Sequence, residues 1–395
     1  MIECRTIKEL CSAVVDCPHS TPTWTAEGKI VVRNNNIKNG RIDFSSPSYT
    51  DDEHYQQRIK RATPQGGDII ITREAPMGEV GMIPEGIVCC LGQRMVLLRA
   101  NPDICDNYYL LYSLQSRYVQ HQISWSEGTG TTVSNLRIPH LEQLKIPYLP
   151  LSKQRQVSSV LRCLEEKIKH NRVINDNLEQ QAQAYFQELF VDNSDPAWTL
   201  GTVSDLGAVV GGSTPSKSKP EYYTEDGIAW ITPKDLSINK AKFISHGEND
   251  ITGLGLKNSS ASIMPEGTVL FSSRAPIGYI AIASGEVTTN QGFKSVVPKP
   301  EIGTAYVYYF LKHNLPVIEG MASGSTFKEV SGSTMKNVPA VIPDTETLAC
   351  FNNFCAPIFA QQRILEEQNQ SLVTLRDSLL PKLMSGEIDV SGIQL

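Results

Sequence analysis

The segment Ser152–Phe190 reads SKQRQVSSVLRCLEEKIKHNRVINDNLEQQAQAYFQELF, and it decides the fold. Residues of the apolar face recur at alternating spacings of four and three, which is the pattern of a helix that packs along another helix. The predicted seam comprises Val157, Leu161, Leu164, Ile168, Asn171, Asn175, Leu178, Ala182, Tyr185 and Leu189. No Pro or Gly interrupts the segment. Such a helix is about 58 Å long, which exceeds the core of a small domain, so it needs a partner.

A second amphipathic stretch, at about residues 347–384, can supply that partner. Its predicted seam residues are Ile358, Leu365, Leu372, Leu375, Leu379 and Leu383. Ser385-Gly386 ends the pattern, as glycine commonly does after a helix. Asn171 and Asn175 in the first seam would lower stability but fix the register of the pair. A linker helix and a homodimeric coiled coil are the alternative interpretations of the first stretch.

The two halves of the chain repeat, which indicates duplicated globules. The matched segments are His19–Pro22 with Gly212–Pro215, Val31–Ile37 with Trp230–Leu236, Gly67–Gly78 with Gly267–Gly278, Gln93–Leu97 with Gln291–Ser295, Asn107–Leu111 with Val307–Leu311, and Gly128–Thr132 with Ser323–Thr326. We therefore predict an α+β fold in which two similar mixed α/β globules are separated by two long antiparallel coiled-coil helices. The predicted domains are a globule at 1–150, a helix at 151–192, a globule at 193–346, and a helix with a tail at 347–395.

Composition narrows the class of protein. The chain has 395 residues, of which 40% are hydrophobic and 20% charged, as in ordinary globular proteins. It contains no apolar run long enough for a membrane span, and its nine cysteines form no C-x-x-C pair. These features lead us to expect a cytoplasmic protein with reduced thiols. A net charge of −6 means that any affinity for DNA must come from local basic clusters or from a partner protein.

Motifs for catalysis are incomplete. Gly211–Ser218 falls one residue short of a phosphate-binding P-loop, because Ser216 stands where the second glycine is required. Asn101–Ile104 falls short of the motif with which amino-methyltransferases hold a base. The seven histidines do not pair at the spacing of metal ligands. The sequence therefore predicts neither a catalytic site nor a metal site.

Polar loops with basic residues are the remaining candidates for function. Arg33 precedes three asparagines, Asn34 to Asn36, and these side chains suit the edges of guanine and adenine. A cluster of Arg58, Lys60 and Arg61 suits phosphate. Basic residues in the second half are Lys217, Lys219, Lys234, Arg274 and Lys294. Each of these could equally be a solvated surface charge, but their matched positions in both repeats favour a shared role.

The sequence resembles the specificity subunits of type I restriction-modification enzymes. The motifs that carry the resemblance are Asp16–Pro22, Arg73–Gly78, Cys90–Arg94, Leu151–Gln156, Ser273–Gly278, Asn290–Lys294 and Leu375–Ile388. The resemblance extends over essentially the whole chain. Each motif is modest by itself, whereas the set in this order is highly specific.

The resemblance implies a division of labour among subunits. Two target-recognition domains each read one half of a split DNA sequence in the major groove, and the paired helices set the gap between the halves. Two methyltransferase (modification) subunits dock on the helices, and restriction or motor subunits complete the complex. Such a complex is an adenine-N6 DNA methyltransferase and an ATP-dependent endonuclease. S-adenosylmethionine, ATP and magnesium then belong to the partner subunits, and this chain is expected to be non-catalytic and to hold no cofactor.

On this basis we predict the DNA-contacting residues. They are Arg33, Asn34, Asn35, Arg58, Lys60, Arg61, Arg73, Arg94 and Thr131 in the first globule, and Ser213, Thr214, Lys217, Lys234, Arg274, Lys294 and Ser325 in the second. Two alternatives come from other classes of protein. One is a scaffold that joins two partners through its coiled coil without binding nucleic acid. The other is a solitary DNA-modifying enzyme, which the incomplete methyltransferase motifs disfavour.

Overall fold

A computed structural model describes residues 3–38, 40–125, 135–324 and 328–390. The chain forms two compact units. Unit 1 comprises Met1–Lys167 with Ser371–Leu395, and unit 2 comprises Ile168–Gln370. Each unit therefore combines one globule with a part of each long helix. No helix among the described residues is both long enough and apolar enough to span a bilayer.

The first globule contains eleven strands and five short helices in its described part. The strands are β1 Cys4–Thr6, β2 Cys11–Asp16, β3 Lys29–Val32, β4 Ile37–Lys38, β5 Arg41–Ile42, β6 Ser48–Thr50, β7 Ile69–Thr72, β8 Val80–Met82, β9 Cys89–Leu91, β10 Met95–Ala100 and β11 Lys145–Pro147. The helices are α1 Ile7–Leu10, α2 Asp52–Arg58, α3 Asn107–Gln115, α4 Arg117–Ser124 and α5 Ile138–Gln143. The first long helix, α6, then runs over Leu151–Gln187 and ends in a π-helical turn, Glu188–Asp192.

The second globule repeats this order. Its strands are β12 Thr199–Thr202, β13 Gly207–Gly211, β14 Tyr223–Thr224, β15 Ile228–Ile231, β16 Phe243–Ile244, β17 Asn249–Ile251, β18 Val269–Ser273, β19 Ile277–Ala283, β20 Thr288–Thr289, β21 Lys294–Pro298 and β22 Pro339–Ile342. Its helices are α7 Val203–Leu206, α8 Pro233–Ile238, α9 Gly253–Lys257, α10 Thr304–His313, α11 Leu315–Gly320 and α12 Gly332–Lys336. The second long helix, α13, covers Thr345–Met384, close to the predicted span.

The sheets confirm that the two globules share one architecture. In the first globule, an antiparallel sheet has the order β2-β10-β7-β8, and a second sheet has the order β6-β3-β9. In the second globule, β13-β21-β18-β19 and β17-β15-β20 occur in the same order, with one further strand at the edge of each sheet. In both globules the second sheet contains one parallel pair, β3 with β9 and β15 with β20.

One predicted match between the repeats is wrong by a helical turn. The hydroxyl of Tyr109 on α3 donates to the carbonyl of Pro147 at 3.0 Å, and the hydroxyl of Tyr306 on α10 donates to the carbonyl of Val341 at 2.6 Å. Tyr109 therefore corresponds to Tyr306 and not to Tyr309. Both helices carry tyrosines three residues apart, so a shift of one turn preserves the sequence pattern.

The two long helices pack antiparallel within each unit, as predicted. In unit 1, Glu165 of α6 faces Arg376 of α13. In unit 2, Asn171 contacts Asn369, and Tyr185 contacts Cys350. In both units the residue number on α13 falls as that on α6 rises. The predicted seam residues Leu161, Ile168, Asn171 and Leu365 are buried, and Leu164, Asn175, Leu178, Leu372 and Leu379 are partly buried.

Leu375 is a correction to the predicted seam. Its side chain is 44% exposed, whereas Arg376 occupies the seam position between Leu372 and Leu379 and is held by Glu165. The alternating spacing of four and three that passes through Leu372 reaches residue 376, not residue 375. The sequence pattern points to the neighbouring leucine because a partly buried arginine at the seam position breaks the apolar pattern.

Candidate nucleic-acid interface

Three loops of the first globule meet at the carboxyl ends of β3 and β9. These parallel strands end side by side, where Val32 pairs with Leu91 and the amide of Gly92 donates to the carbonyl of Val32 at 2.8 Å. A 3-10 turn, Asn34–Asn36, follows β3. The third loop is the turn between β7 and β8, and the amide of Arg73 at its start donates to the carbonyl of Arg94 at 2.8 Å. Polar side chains that are distant in sequence are thereby gathered at one edge.

These three loops, together with the segment between β2 and β3, enclose a concave site with a volume of about 480 Å³. It is lined by Thr21, Pro22, Trp24, Arg33, Asn34, Asn35, Ala75, Gly92, Gln93 and Arg94. Four of these residues, Arg33, Asn34, Asn35 and Arg94, were predicted from the sequence to contact DNA. Trp24 and Gln93 were missed. A tryptophan two residues after the Thr-Pro motif was the available signal for the first of them.

A threonine–glutamine pair recurs in both globules. In the first, Nε2 of Gln93 donates to the hydroxyl of Thr21 at 3.3 Å. In the second, the hydroxyl of Thr214 hydrogen-bonds the side chain of Gln291. The matched pair joins the loop that follows β2 or β13 to the loop that follows β9 or β20. Thr214 was predicted as a DNA contact, and in the structure its hydroxyl has a partner in the loop after β20.

Glu74 lies beside the basic residues of the first site. Its carboxylate is 3.3 Å from Nε of Arg94 and accepts a hydrogen bond from Asn135 at 2.6 Å. Its main-chain carbonyl accepts from Nδ2 of the Asn34 side chain, also at 2.6 Å. The charge of Arg94 is therefore balanced within the chain, whereas the Arg33 side chain has no carboxylate partner among the described residues.

Two predicted DNA contacts are instead structural. Arg58 is buried, and its guanidinium donates to the carbonyls of Leu91, Ser20 and Pro18 at 2.8, 3.1 and 3.4 Å. Burial also lowers the pKa of this guanidinium. Arg73 is likewise committed, to Asp16 at 3.0 Å and to the carbonyl of Leu136 at 3.0 Å. We correct both predictions, because these groups hold loops together and have few donors left for a ligand.

Lys60 and Arg61, the other two members of the basic cluster, are exposed. Nη1 of Arg61 donates to the carbonyl of Asp16 at 3.2 Å, and the rest of the side chain faces solvent. Neither residue lines the concave site. They provide positive charge outside it, as a contact to a phosphate backbone would require.

The second globule places its predicted residues at the equivalent edge. The amide of Asn290 after β20 donates to the carbonyl of Ile231 in β15 at 3.0 Å, which matches the bond between Gly92 and Val32. Lys234 on α8 is exposed and pairs with Glu248 at 2.5 Å. Lys217 is exposed, while the hydroxyl of Ser213 accepts a hydrogen bond from the amide of Ser260.

The residue before the Ala-Pro turn reverses its charge between the two globules. The amide of Ser273 donates to the carbonyl of Gly292 at 2.7 Å, which matches the bond between Arg73 and Arg94. Arg274 therefore stands where the first globule has Glu74. Its guanidinium lies 3.4 Å from Glu329, and Lys294 lies 3.7 Å from the same carboxylate. The two edges share a backbone frame but offer a ligand different charges.

Two further predicted contacts, Thr131 and Ser325, lie outside the described residues. Within the described ranges, no group of three or more His, Cys, Asp and Glu side chains is placed to hold a metal ion.

Comparisons with known proteins identify the family. The model of the type I restriction modification DNA specificity domain matches residues 6–180 and 197–370. The specificity subunit of type I restriction enzyme MjaIX from Methanocaldococcus jannaschii is 40% identical over 191 residues, which are 46% of this chain and 44% of that protein. The specificity subunit of the HindI enzyme from Haemophilus influenzae is 29% identical over 194 residues, 48% of this chain and 42% of that protein. The chain thus spans less than half the length of these two relatives.

A solved structure shows the same fold. The S subunit of a type I restriction-modification system from M. genitalium aligns over 97% of this chain and 96% of its own, with a TM-score of 0.60 and 19% identity. The two matches to the family model correspond to the two globules, each with the part of the long helices that follows it. The chain therefore belongs to the type I restriction modification DNA specificity family.

Proposed function

We propose that this protein is the DNA sequence-recognition subunit of a type I restriction-modification complex. Each globule reads one half of a bipartite target in the major groove. The observation that carries the proposal is the recurrence of one loop frame, at the ends of β3 and β9 and of β15 and β20, with different polar residues on it. Arginine and asparagine side chains suit base edges, and unlike residues on a shared frame suit two unlike half-sites.

The paired helices set the spacing between the half-sites and dock two methyltransferase subunits. Their antiparallel seam, with polar Asn171 inside it, supports this role, because a polar seam residue favours one register over others. A fixed register is what a constant gap between half-sites requires. The exposed faces of α6 and α13 remain available for partner subunits.

The chemistry belongs to other chains of the complex. This chain is non-catalytic, the modification subunits use S-adenosylmethionine to methylate adenine, and the restriction subunits use ATP and magnesium. The incomplete catalytic motifs support this division, and so do the relatives, which are specificity subunits. The net charge of −6 is also reasonable if partners supply part of the positive surface that surrounds DNA.

Methylome sequencing tests the proposal. A host without adenine methylation would carry this chain together with a type I modification subunit, and a control host would carry the modification subunit alone. We expect methylated adenines in both halves of one split, asymmetric motif, and only when this chain is present. Methylation that does not depend on this chain, or a motif without a gap, would overturn the proposal.

A further inference from the structure

Arg33 and Trp24 form a stacked pair at the rim of the concave site. The guanidinium carbon of Arg33 lies 5.2 Å from the centroid of the indole ring, which is within the range of a cation–π contact. Nη1 of Arg33 also donates to the hydroxyl of Ser48 at 3.4 Å. Trp24 is 46% exposed, an unusual position for a large aromatic side chain. The indole and the hydroxyl together restrict the orientation of the guanidinium.

The donors of Arg33 that remain are available to a ligand. Among the described residues, Nε and Nη2 have no recorded acceptor, and Nη1 has only Ser48. The amide of Arg33 donates to Oδ1 of Asn36 at 2.9 Å, so the main chain at this position is fixed by the turn. Because the orientation of the guanidinium is restricted, Nε and Nη2 can donate together to a ligand that presents two adjacent acceptor atoms.

We propose that Arg33, oriented by Trp24, is a guanine-reading residue that donates to O6 and N7 of one guanine in the major groove. This inference rests on the proposed function and specifies what the first globule recognises. Guanine presents two adjacent acceptors on its major-groove edge, whereas adenine presents an acceptor and a donor. Two parallel N–H groups therefore match guanine, and the neighbouring amide of Asn35 is the group that suits adenine.

The surroundings of Arg33 favour a base over a phosphate. The side chain lies in a concavity with the uncharged side chains of Asn35 and Gln93, and the other arginine that lines it, Arg94, is paired with Glu74. The exposed charges suited to phosphate, Lys60 and Arg61, lie outside this site. Phosphates also lie along the outside of the duplex, whereas a base edge is reached by groups inside a groove.

The second globule lacks this site. The amide of Thr232 donates to Asp235 at 2.7 Å, just as the amide of Arg33 donates to Asn36, so Thr232 occupies the position of Arg33. The short side chain of threonine cannot form a two-donor contact. A guanine contact made by a residue at this position is therefore expected in only one half of the target.

The test uses the complex of this chain with its modification subunits and a duplex that carries the methylation motif. Each guanine of the motif is replaced in turn by 7-deazaguanine, which lacks the N7 acceptor. We expect wild-type affinity to fall about 5- to 150-fold at one guanine. Arg33→Met keeps an unbranched side chain of similar length but has no donor, so it should bind the unmodified duplex less tightly and show no further loss at that guanine. Trp24→Ala should reduce the sensitivity to 7-deazaguanine, whereas Trp24→Phe should retain it.

The outcomes separate this proposal from the one on which it rests. A complex with no preference for a bipartite motif overturns both. A bipartite motif without guanine, or one at which Arg33→Met and wild type respond equally to every replacement, overturns only the guanine site. Uniform weakening by Arg33→Met on all sequences, with a salt dependence reduced by about one contact, identifies a phosphate contact and also overturns it. Arg61→Met serves as the matched control, and thermal unfolding checks that each variant is folded.

Discussion

The side-chain amide of Asn171 on α6 donates to Oδ1 of Asn369 on α13 at 3.1 Å, inside the seam between the two helices. Asn171 is fully buried, and its own Oδ1 has no partner among the described residues. Replacing it with leucine removes an unsatisfied polar atom and adds apolar contact. We expect Asn171→Leu to raise the free energy of unfolding by about 1 kcal/mol, measured by urea denaturation. Asn171→Asp, which buries a charge, should lower it, and a less stable leucine variant would contradict this account.

The spacing role of the helices predicts the effect of added length. Seven residues inserted after Lys167 in α6, and seven more after Gln370 in α13, preserve the heptad pattern of both helices. One heptad adds about 10 Å of helix, equivalent to about three base pairs of DNA. Methylome sequencing should show an unread gap longer by that amount. An unchanged gap argues against the spacing role, and insertion into α6 alone is the mismatched control.

A buried ion-pair cluster in unit 2 predicts sensitivity to acid. Burial acts to raise the pKa of Glu179, but the ammonium groups of Lys242 and Lys312 outweigh it and hold the pKa at about 2, below its ordinary value of 4.5. Tyr309 also donates to this carboxylate, at 2.9 Å. Because the pKa is lowered in the folded state, the contribution of Glu179 to stability is complete above pH 4.5 and is lost as the pH falls toward 2.

The magnitude of this contribution is about 3 kcal/mol. Urea denaturation between pH 6 and pH 2 should show that Glu179→Gln is less stable than wild type at pH 6 and that the difference shrinks at low pH. Glu286→Gln, at an exposed position with no recorded ion pair, is the matched control and should leave the pH dependence unchanged. A constant difference between Glu179→Gln and wild type at every pH would contradict the assignment.

Arg58 and Lys60 should respond differently to the same substitution. Arg58→Ala leaves three backbone carbonyls without their donor, so we expect the free energy of unfolding to fall by about 2 to 4 kcal/mol. Lys60→Ala should leave stability unchanged and weaken DNA binding on all sequences, with a salt dependence reduced by about one contact. Thermal unfolding and salt titration of DNA binding measure the two effects. A folded, stable Arg58→Ala variant with reduced DNA affinity would restore the original prediction for Arg58.

Glu329 should restrain DNA binding by the second globule. Its carboxylate lies within 3.7 Å of both Arg274 and Lys294, so these cations are paired before DNA arrives. Glu329→Gln releases both, and we expect tighter binding with a steeper dependence on salt concentration. A salt titration of the complex with DNA provides the measurement, and Glu286→Gln again serves as control. Unchanged affinity would mean that neither Arg274 nor Lys294 contacts DNA.

The long helices and the repeat could be predicted because their sequence patterns are regular. A seam that extends over many heptads can still be recognised in the sequence when one of its positions holds a polar residue such as Asn171. The pattern was insufficient at Leu375, because the partly buried Arg376 stands at the seam position in place of an apolar residue. The sequence pattern also did not fix the alignment of α3 with α10. The equivalence of Tyr109 and Tyr306 becomes clear only from the hydrogen bonds that each makes to a neighbouring strand.

The candidate site was predicted only in part, since a side chain's role depends on what surrounds it. Arg33 and Arg58 look alike in the sequence, because both are arginines in polar segments. Only the fold reveals that Arg58 is enclosed by three carbonyls and that Arg33 lies against Trp24. Likewise, the opposite charges of Glu74 and Arg274 show a difference between the two sites only because the structure places these residues at equivalent backbone positions.

Unit 1 is assembled from the two ends of the chain, and this has a consequence for biosynthesis. Tyr109 and Leu161 pack in one apolar cluster with Leu383 and Met384, which emerge from the ribosome more than two hundred residues later. The apolar surface around Tyr109 and Leu161 therefore remains uncovered while the whole second globule is translated. A ribosome that stalls before the end of the second long helix would leave unit 1 incomplete, so this chain should depend on chaperone protection until that helix has emerged.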